Sequence, residues 1–317
     1  EAMAQKIDAA ADAGIDFFIF DWYYYDDGPF LERALEEGFL NAPNRERLKF
    51  CTMWANHNWT DIHPATRFSP RTVLYPGRIA RATFEKIAEI HIKEYFPRPE
   101  YYRIDGAPYF SIYDLEQFLN SMGGVDGARA ALRDFQSAAL AAGFPGVHIN
   151  AVTWKNPLLP GENRRADIPK LLGELEFSSA TSYVWIHHAV FHAPLVSYEE
   201  VFRQYWRHWE QAEREYPCEY FPNLSVGWDS SLRLAPSEVW EWKGGEYPCG
   251  PAIDDASPER FGAALRKIMA KLQNAPQKHK IFNINCWNEW TESSYLEPDD
   301  VWGDRFLETL RQARSAK

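Results

Sequence analysis

The segment Trp287-Asn288-Glu289-Trp290-Thr291-Glu292 sets two carboxylates, an amide and two indoles beside one another. Glycoside chemistry uses this mixture of groups. A carboxyl moves a proton to and from the bridging oxygen, a second carboxylate answers the charge that develops on the sugar, and aromatic faces stack on sugar rings. A solvated acidic face would carry Lys and Ser between its acids rather than Trp. Glu289 and Glu292 are therefore the candidate catalytic pair. One is expected to be the proton donor, its pKa raised by the apolar Trp287 and Trp290, and the other to stay ionised as base or nucleophile. The competing reading is an acidic pair complementing the dipole at the start of a helix. The indoles that frame the acids favour catalysis.

The pair follows the apolar run Ile281–Cys286, which reads as a buried strand. Upstream, strand-like runs at Ile15–Trp22, Phe50–Trp54, Pro108–Tyr113, Val147–Val152, Ala180–Trp185 and Leu224–Trp228 alternate with helical patterns. The helical patterns cover residues 1–13, Phe30–Phe39, Ala80–Tyr95, Gly127–Ala142, Ile168–Leu175, Tyr198–Glu215, Pro258–Gln273 and Asp304–Arg314. Strands spaced by helices of this length pair in parallel through crossovers, and continuous apolar strands are those covered on both faces. The closed solution is a (β/α)8 TIM barrel, a single α/β catalytic domain over residues 1–317. The chain opens on a helix, so the barrel is expected to lack its first strand here, with further chain preceding it. An open doubly wound sheet is the alternative. It is disfavoured because no Gly-rich phosphate loop follows an early strand.

Barrel active sites form at the C-terminal ends of the strands. Those ends release Asp21, Trp22 and Tyr23; Trp54, Asn56 and His57; Tyr113 and Asp114; Asn150 and Trp154; Tyr183, Trp185 and His187; Trp228, Asp229 and Arg233; and finally Asn288 and Trp290 around the glutamates. Nearly every end joins an aromatic to a hydrogen-bonding group, which is expected to line a polar, aromatic cleft for sugar. Asp21 and Asp114 could accept from substrate hydroxyls or cap the element that follows. Asp229 with Arg233 could orient a hydroxyl or an acidic substituent, or form a structural pair. Residues 229–256, rich in Trp, Pro and Gly, read as a long loop of the kind that commonly carries function.

Composition narrows the partners. The chain has 34 basic and 45 acidic residues and a formal net charge of -11, the wrong sign for neutralising nucleic-acid phosphates or an anionic membrane surface. No apolar run is long enough for a membrane-spanning helix, so no membrane insertion is expected. His187, His188 and His192, with His57 and His63 elsewhere, lack the spacing of a zinc motif, so they read as hydrogen-bonding or loop histidines and no metal is expected. There is no Gly-x-Ser-x-Gly elbow for an esterase. The chemistry requires no cofactor. The 4 cysteines have no zinc spacing: Cys51 and Cys286 read as buried thiols, and Cys218 and Cys249 as free thiols that could pair only if their loops meet. The first residues carry no signal segment, which leaves the compartment open.

Several strings together resemble a known family. These are Ala13-Gly14-Ile15-Asp16-Phe17-Phe18, Trp54-Ala55-Asn56-His57-Asn58-Trp59, Tyr102-Arg103-Ile104-Asp105-Gly106-Ala107-Pro108, and Trp287-Asn288-Glu289-Trp290-Thr291-Glu292 with Tyr295-Leu296-Glu297-Pro298. In this order, across essentially the whole chain, they look like the glycoside hydrolase family 99-like domain, also called the WbsX type. The resemblance implies a (β/α) barrel with one more strand at its front. It also implies the chemistry of retaining endo-acting α-mannosidases. One glutamate draws the proton from the sugar 2-hydroxyl, which attacks the anomeric carbon, and the other is acid and then base. Carried onto this chain, Glu289 would assist the 2-hydroxyl and Glu292 would be acid/base, with Trp287, Asn288 and Trp290 as their frame.

The sequence thus points to a retaining glycoside hydrolase acting on α-linked oligo- or polysaccharide. The alternatives are a glycosyltransferase of polysaccharide biosynthesis and a non-catalytic carbohydrate-binding barrel.

Overall fold

The computed structural model describes residues 1–66, 68, 70–161, 163–238 and 247–315. The chain is a mixed α/β protein that divides into two compact units. The first comprises Glu1–Trp59, Tyr75–Thr181 and Glu215–Glu219, and the second Thr60–Leu74, Ser182–Arg214 and Tyr220–Lys317.

The first unit is built on a parallel sheet. Its strands are β1 (Phe17–Tyr25), β2 (Gly28–Phe30), β3 (Lys49–Trp54), β4 (Ala107–Ile112), β5 (His148–Val152) and β6 (Ser179–Thr181). β1, β3, β4, β5 and β6 pair in that order, each parallel to the next, while β2 folds back antiparallel on β1. β3, β4 and β5 are buried along almost their whole length, because helices cover what would be the second face. Those helices are α1 (Ala2–Asp12), α2 (Arg81–Ile90), α3 (Leu115–Met122), α4 (Val125–Ala141) and α5 (Ile168–Glu174). Asp114 and Asp167 accept from the amides of Gln117 and Lys170, each at 3.0 Å, and so start α3 and α5 as side-chain caps.

The sequence reading is corrected at two places here. The helix expected over Phe30–Phe39 is split. Phe30 pairs with Tyr23 in the β1–β2 hairpin, ring against ring at 6.0 Å, and only Ala34–Phe39 winds, as a wide π turn. A helix was missed at α3, although Leu115, Phe118, Leu119 and Met122 recur at helical spacing and are all buried. Gly123, at φ 77°, ends α3 in a left-handed conformation that a side chain would strain, and α4 starts anew at Val125.

In the second unit β7 (Asn223–Ser225) pairs in parallel with β8 (Asn283–Asn285). Helix α6 (Tyr198–Glu215), apart from its last residue, belongs to this unit, with α7 (Pro258–Asn274) and α8 (Arg305–Ser315). Phe261 of α7 meets Phe306 of α8 edge to face at 5.5 Å. These strands are shorter than the apolar runs suggested. Asn223 donates across to Asn283 at 2.6 Å, and within β7 Ser225 donates to Asn223 Oδ1 at 2.8 Å. The strand expected to run to Trp185 ends at Thr181, and Trp185–His188 forms a 3-10 turn. Of the long loop at 229–256, Ser230–Arg233 is a 3-10 turn and Ala252–Ile253 pairs with Leu195–Val196. Residues 239–246, with Trp240 and Trp242, lie outside the described residues.

Candidate active site

Beyond β8 the chain makes a tight hairpin. Asn288 pairs with Tyr295 and Glu289 with Ser294, and the connection is a 3-10 turn over Trp290–Glu292. Cys286 fastens its base: the thiol accepts from the Glu289 amide at 3.2 Å and donates to the Ser294 carbonyl at 2.9 Å. A 3-10 turn repeats every three residues, so Glu289 and Glu292 fall on one side of it. This is how the Glu-x-x-Glu spacing becomes a carboxylate pair.

The pair is held by one guanidinium. Arg233 Nη2 lies 2.9 Å from Glu289 Oε1 and 3.4 Å from Glu292 Oε1. Those oxygens are therefore no farther apart than the two lengths laid end to end. Thr291 Oγ1 donates to Glu289 Oε1 at 2.7 Å, and the Tyr247 hydroxyl donates to Glu292 Oε1 at 2.6 Å. Arg233 Nη1 donates to His63 Nε2 at 3.2 Å, which makes that nitrogen an acceptor. Partial burial, then the nearby guanidinium, lower the His63 pKa and favour this neutral form.

The two carboxyls sit in different surroundings. The Glu289 side chain is 32% exposed and that of Glu292 only 9%. Burial is the largest influence on Glu292 and lifts its pKa to about 7; Arg233 and the Tyr247 hydrogen bond pull it down, and the Glu289 charge pushes it up. At neutral pH Glu292 thus exists in both protonation states, as a group that gives and takes a proton must. Burial and the charge of Glu292 push the Tyr247 phenol well above its ordinary value, so it remains a donor. Burial alone would lower the Arg233 guanidinium, but Glu292, Tyr247 and Glu289 around it raise it. Tyr247 was not found by sequence reasoning. The only available signal was its place in the long Trp/Pro/Gly loop, whose Glu-Tyr-Pro-Cys string drew attention to the cysteine instead.

Other expected site residues of the second unit divide by burial. Trp228 is buried, 6.2 Å from the Tyr247 ring, and His187 follows at 6.3 Å and Tyr183 at a further 6.3 Å. Burial lowers the His187 pKa to about 4, so its ring is neutral. The Asp229 carboxylate caps the following 3-10 turn through the Ser231 amide, and its own amide binds the Glu292 carbonyl at 2.7 Å. Trp185, expected in the cleft, is fully buried with its indole on the Asn223 carbonyl. Asn288 is exposed, and Trp290 is 41% exposed.

The remaining expected residues belong to the first unit, where four are corrected to structural roles. Trp22 is buried and bonds Tyr95, and Trp54 is fully buried and bonds the Tyr24 carbonyl. Asn56 is buried and ties both backbone groups of Asp114, at 2.8 and 2.7 Å. Asn150 is fully buried between Ser111 and Ser179. At these strand ends the bulky and amide side chains pack inward instead of lining a cleft. Tyr23, His57 and Tyr113 do come together as half-buried rings, at 5.7 and 5.6 Å along the series, and Asp21 is exposed on the same face of β1 as Tyr23.

A family model described as Glycosyltransferase WbsX matches residues 1–310. Two curated relatives, each called uncharacterized protein WxcX, come from two strains of Xanthomonas campestris pv. campestris. Each is 25% identical over 99% of this chain but 41% of its own length, so the chain spans about two fifths of these relatives. Among solved structures, one called a glycoside hydrolase-like protein aligns with a TM-score of 0.62 at 16% identity, over 98% of this chain and 84% of its own. The GH99 endo-α-mannosidase from Bacteroides thetaiotaomicron aligns with a TM-score of 0.55 at 14% identity, over 99% and 80%. At such identities the likeness is one of fold: a glycoside hydrolase-like α/β fold of the TIM-barrel class, as the alternation of strands and helices predicted.

Proposed function

This chain belongs to the WbsX glycosyltransferase family, and on that premise we propose that it is a retaining glycoside hydrolase acting on α-linked oligo- or polysaccharide. The observation that carries the reading is the shared guanidinium. Arg233 gathers Glu289 and Glu292 around one nitrogen, and Glu292 is buried enough for its pKa to rise to about 7. A buried carboxyl raised to neutrality beside a more exposed one matches the division of acid and base work in glycosidases.

The roles follow from the surroundings. Glu292 gives its proton to the glycosidic oxygen as the bond to the anomeric carbon breaks. Glu289, its charge held by Arg233 and Thr291, takes the proton of the sugar 2-hydroxyl as that oxygen closes on the anomeric carbon. Water then attacks the same carbon, Glu292 takes the water's proton, and Glu289 returns its own to the 2-oxygen. Configuration is retained because the anomeric carbon is inverted twice, once by the 2-oxygen and once by water, and Arg233 holds an oxygen of each acid close enough to serve one sugar ring. The fold shared with an endo-α-mannosidase makes α-mannosides the first substrates to try.

The family description favours a second reading, transfer from an activated sugar donor. One experiment separates the two. The purified protein is incubated with α-linked manno-oligosaccharides and α-glucans, and separately with nucleotide sugars, and the anomeric products are followed by NMR. Hydrolysis with retained configuration is expected. Glu292→Gln and Glu289→Gln are each expected to slow it by roughly 10²–10⁴-fold with the fold intact by circular dichroism. Undiminished turnover in either variant, or nucleotide release with no hydrolysis, would overturn the assignment. Binding without turnover of any kind would leave a carbohydrate-binding barrel.

A further inference from the structure

Trp290 sits between the two glutamates in sequence but does not join their cluster. Its indole stacks on Tyr295, centroids 3.8 Å apart and planes 20° apart, and its Nε1 donates to Glu297 Oε2 at 2.8 Å. Tyr295 is fixed in turn by a 3.0 Å hydrogen bond from its hydroxyl to Asp299 Oδ2. Backbone pairing of Asn288 with Tyr295 and of Glu289 with Ser294 locks this stack in register with the acid pair. Despite these tethers Trp290 remains 41% exposed. One ring face is covered by Tyr295 and the nitrogen edge is engaged by Glu297, so the face turned from Tyr295 is the one this stack leaves uncovered. A large apolar surface left in water costs solvation, and here it is also deprived of freedom to fold away.

We propose that the outer face of Trp290 is a saccharide-stacking platform, forming a subsite that binds a pyranose of the glycan at a fixed offset from Glu289 and Glu292. An indole face takes the C–H-bearing face of a pyranose, whose hydroxyls then point outward around the ring. The 3-10 turn Ser230–Arg233, which carries Arg233, packs against the turn Trp290–Glu292. A platform tethered at three points loses little entropy when a sugar lands on it, and preorganisation of this kind raises affinity without new contacts. The proposal rests on the saccharide reading above. It adds that substrate is held by its chain as well as at the bond being broken, so affinity grows with glycan length up to the sugar that reaches Trp290.

The test uses binding rather than turnover. The Glu292→Gln protein is titrated with length ladders of α-linked manno-oligosaccharides and of α-glucans, by calorimetry and by the indole ¹H–¹⁵N signals, that of Trp290 being assigned from Trp290→Phe. The Trp290 signal is expected to shift once the chain is long enough, with affinity stepping up at the same length. Trp290→Ala in the same background is expected to lose that step, roughly tenfold in affinity, and Trp290→Phe to restore most of it. An unperturbed Trp290 signal at saturation, or an unchanged step in Trp290→Ala, removes the platform and leaves the saccharide reading standing. If no member of either ladder binds, the saccharide reading fails and the platform falls with it.

Discussion

The Tyr247 hydroxyl lies 2.6 Å from Glu292 Oε1 and donates to it. These residues come from different excursions of the chain, Tyr247 from the long loop after β7 and Glu292 from the turn after β8. Arg233, from the same loop as Tyr247, completes the enclosure, its guanidinium 5.5 Å from the centre of the Tyr247 ring. The turn after the last strand supplies the acids, and the preceding loop supplies the groups that act on the charge of Glu292.

Activity should fall with rising pH through neutrality. Burial raises Glu292 to about 7 in the folded protein, against about 4.3 when unfolded. The proton donor is thus lost above pH 7, and kcat/KM should show an alkaline limb there. Stability follows the same sign, because the raised group's contribution is complete below the unfolded value and is lost as pH climbs to the folded one. Glu292→Gln should therefore gain on the parent in melting temperature across that window. A rate profile flat through neutrality, with parallel melting curves, would sink the assignment of Glu292 as the acid.

Tyr247→Phe removes a donor that favours the ionised form of Glu292. The pKa of Glu292 should rise further and the alkaline limb should move to higher pH with it. The measurement is the paired pH–rate profile of parent and variant. An unmoved or downward-shifted limb would show that the hydrogen bond does not set the proton's affinity.

Arg233→Met should cost both stability and activity. The guanidinium is 11% exposed and faces two carboxylates, so its removal leaves like charges together with Glu292 out of water. Breaking such a buried pair costs about 3–5 kcal/mol. Adding Glu289→Gln should recover part of the loss by removing one charge, and urea midpoints of the single and double variants measure this. Equal losses in both would mean that the guanidinium acts by packing alone.

Asn56→Ala tests one of the structural corrections. Asn56 satisfies the amide and carbonyl of Asp114 with one side chain, and its loss strands both groups at a cost on the order of 3 kcal/mol. The expected result is a lowered melting temperature with substrate affinity unchanged in the protein that remains folded. A selective rise in KM at unchanged stability would return Asn56 to the binding residues.

What the amino-acid order determined by itself was local and periodic. Alternating apolar runs specified parallel strands with crossover helices, because strands buried on both faces need unbroken apolar sequence. The six residues from Trp287 to Glu292 identified the acid pair, because residues three apart meet in one short turn. Tertiary structure decided what those side chains experience. Nothing near Tyr247 in sequence indicates that its hydroxyl meets Glu292, and Arg233 could as well have been an isolated structural pair. Trp54, Trp185 and Asn150 have the composition of cleft residues, yet packing turned them inward. Burial and long-range pairing depend on which segments the fold brings against one another, and so does the raised pKa of Glu292 on which the proposed chemistry depends.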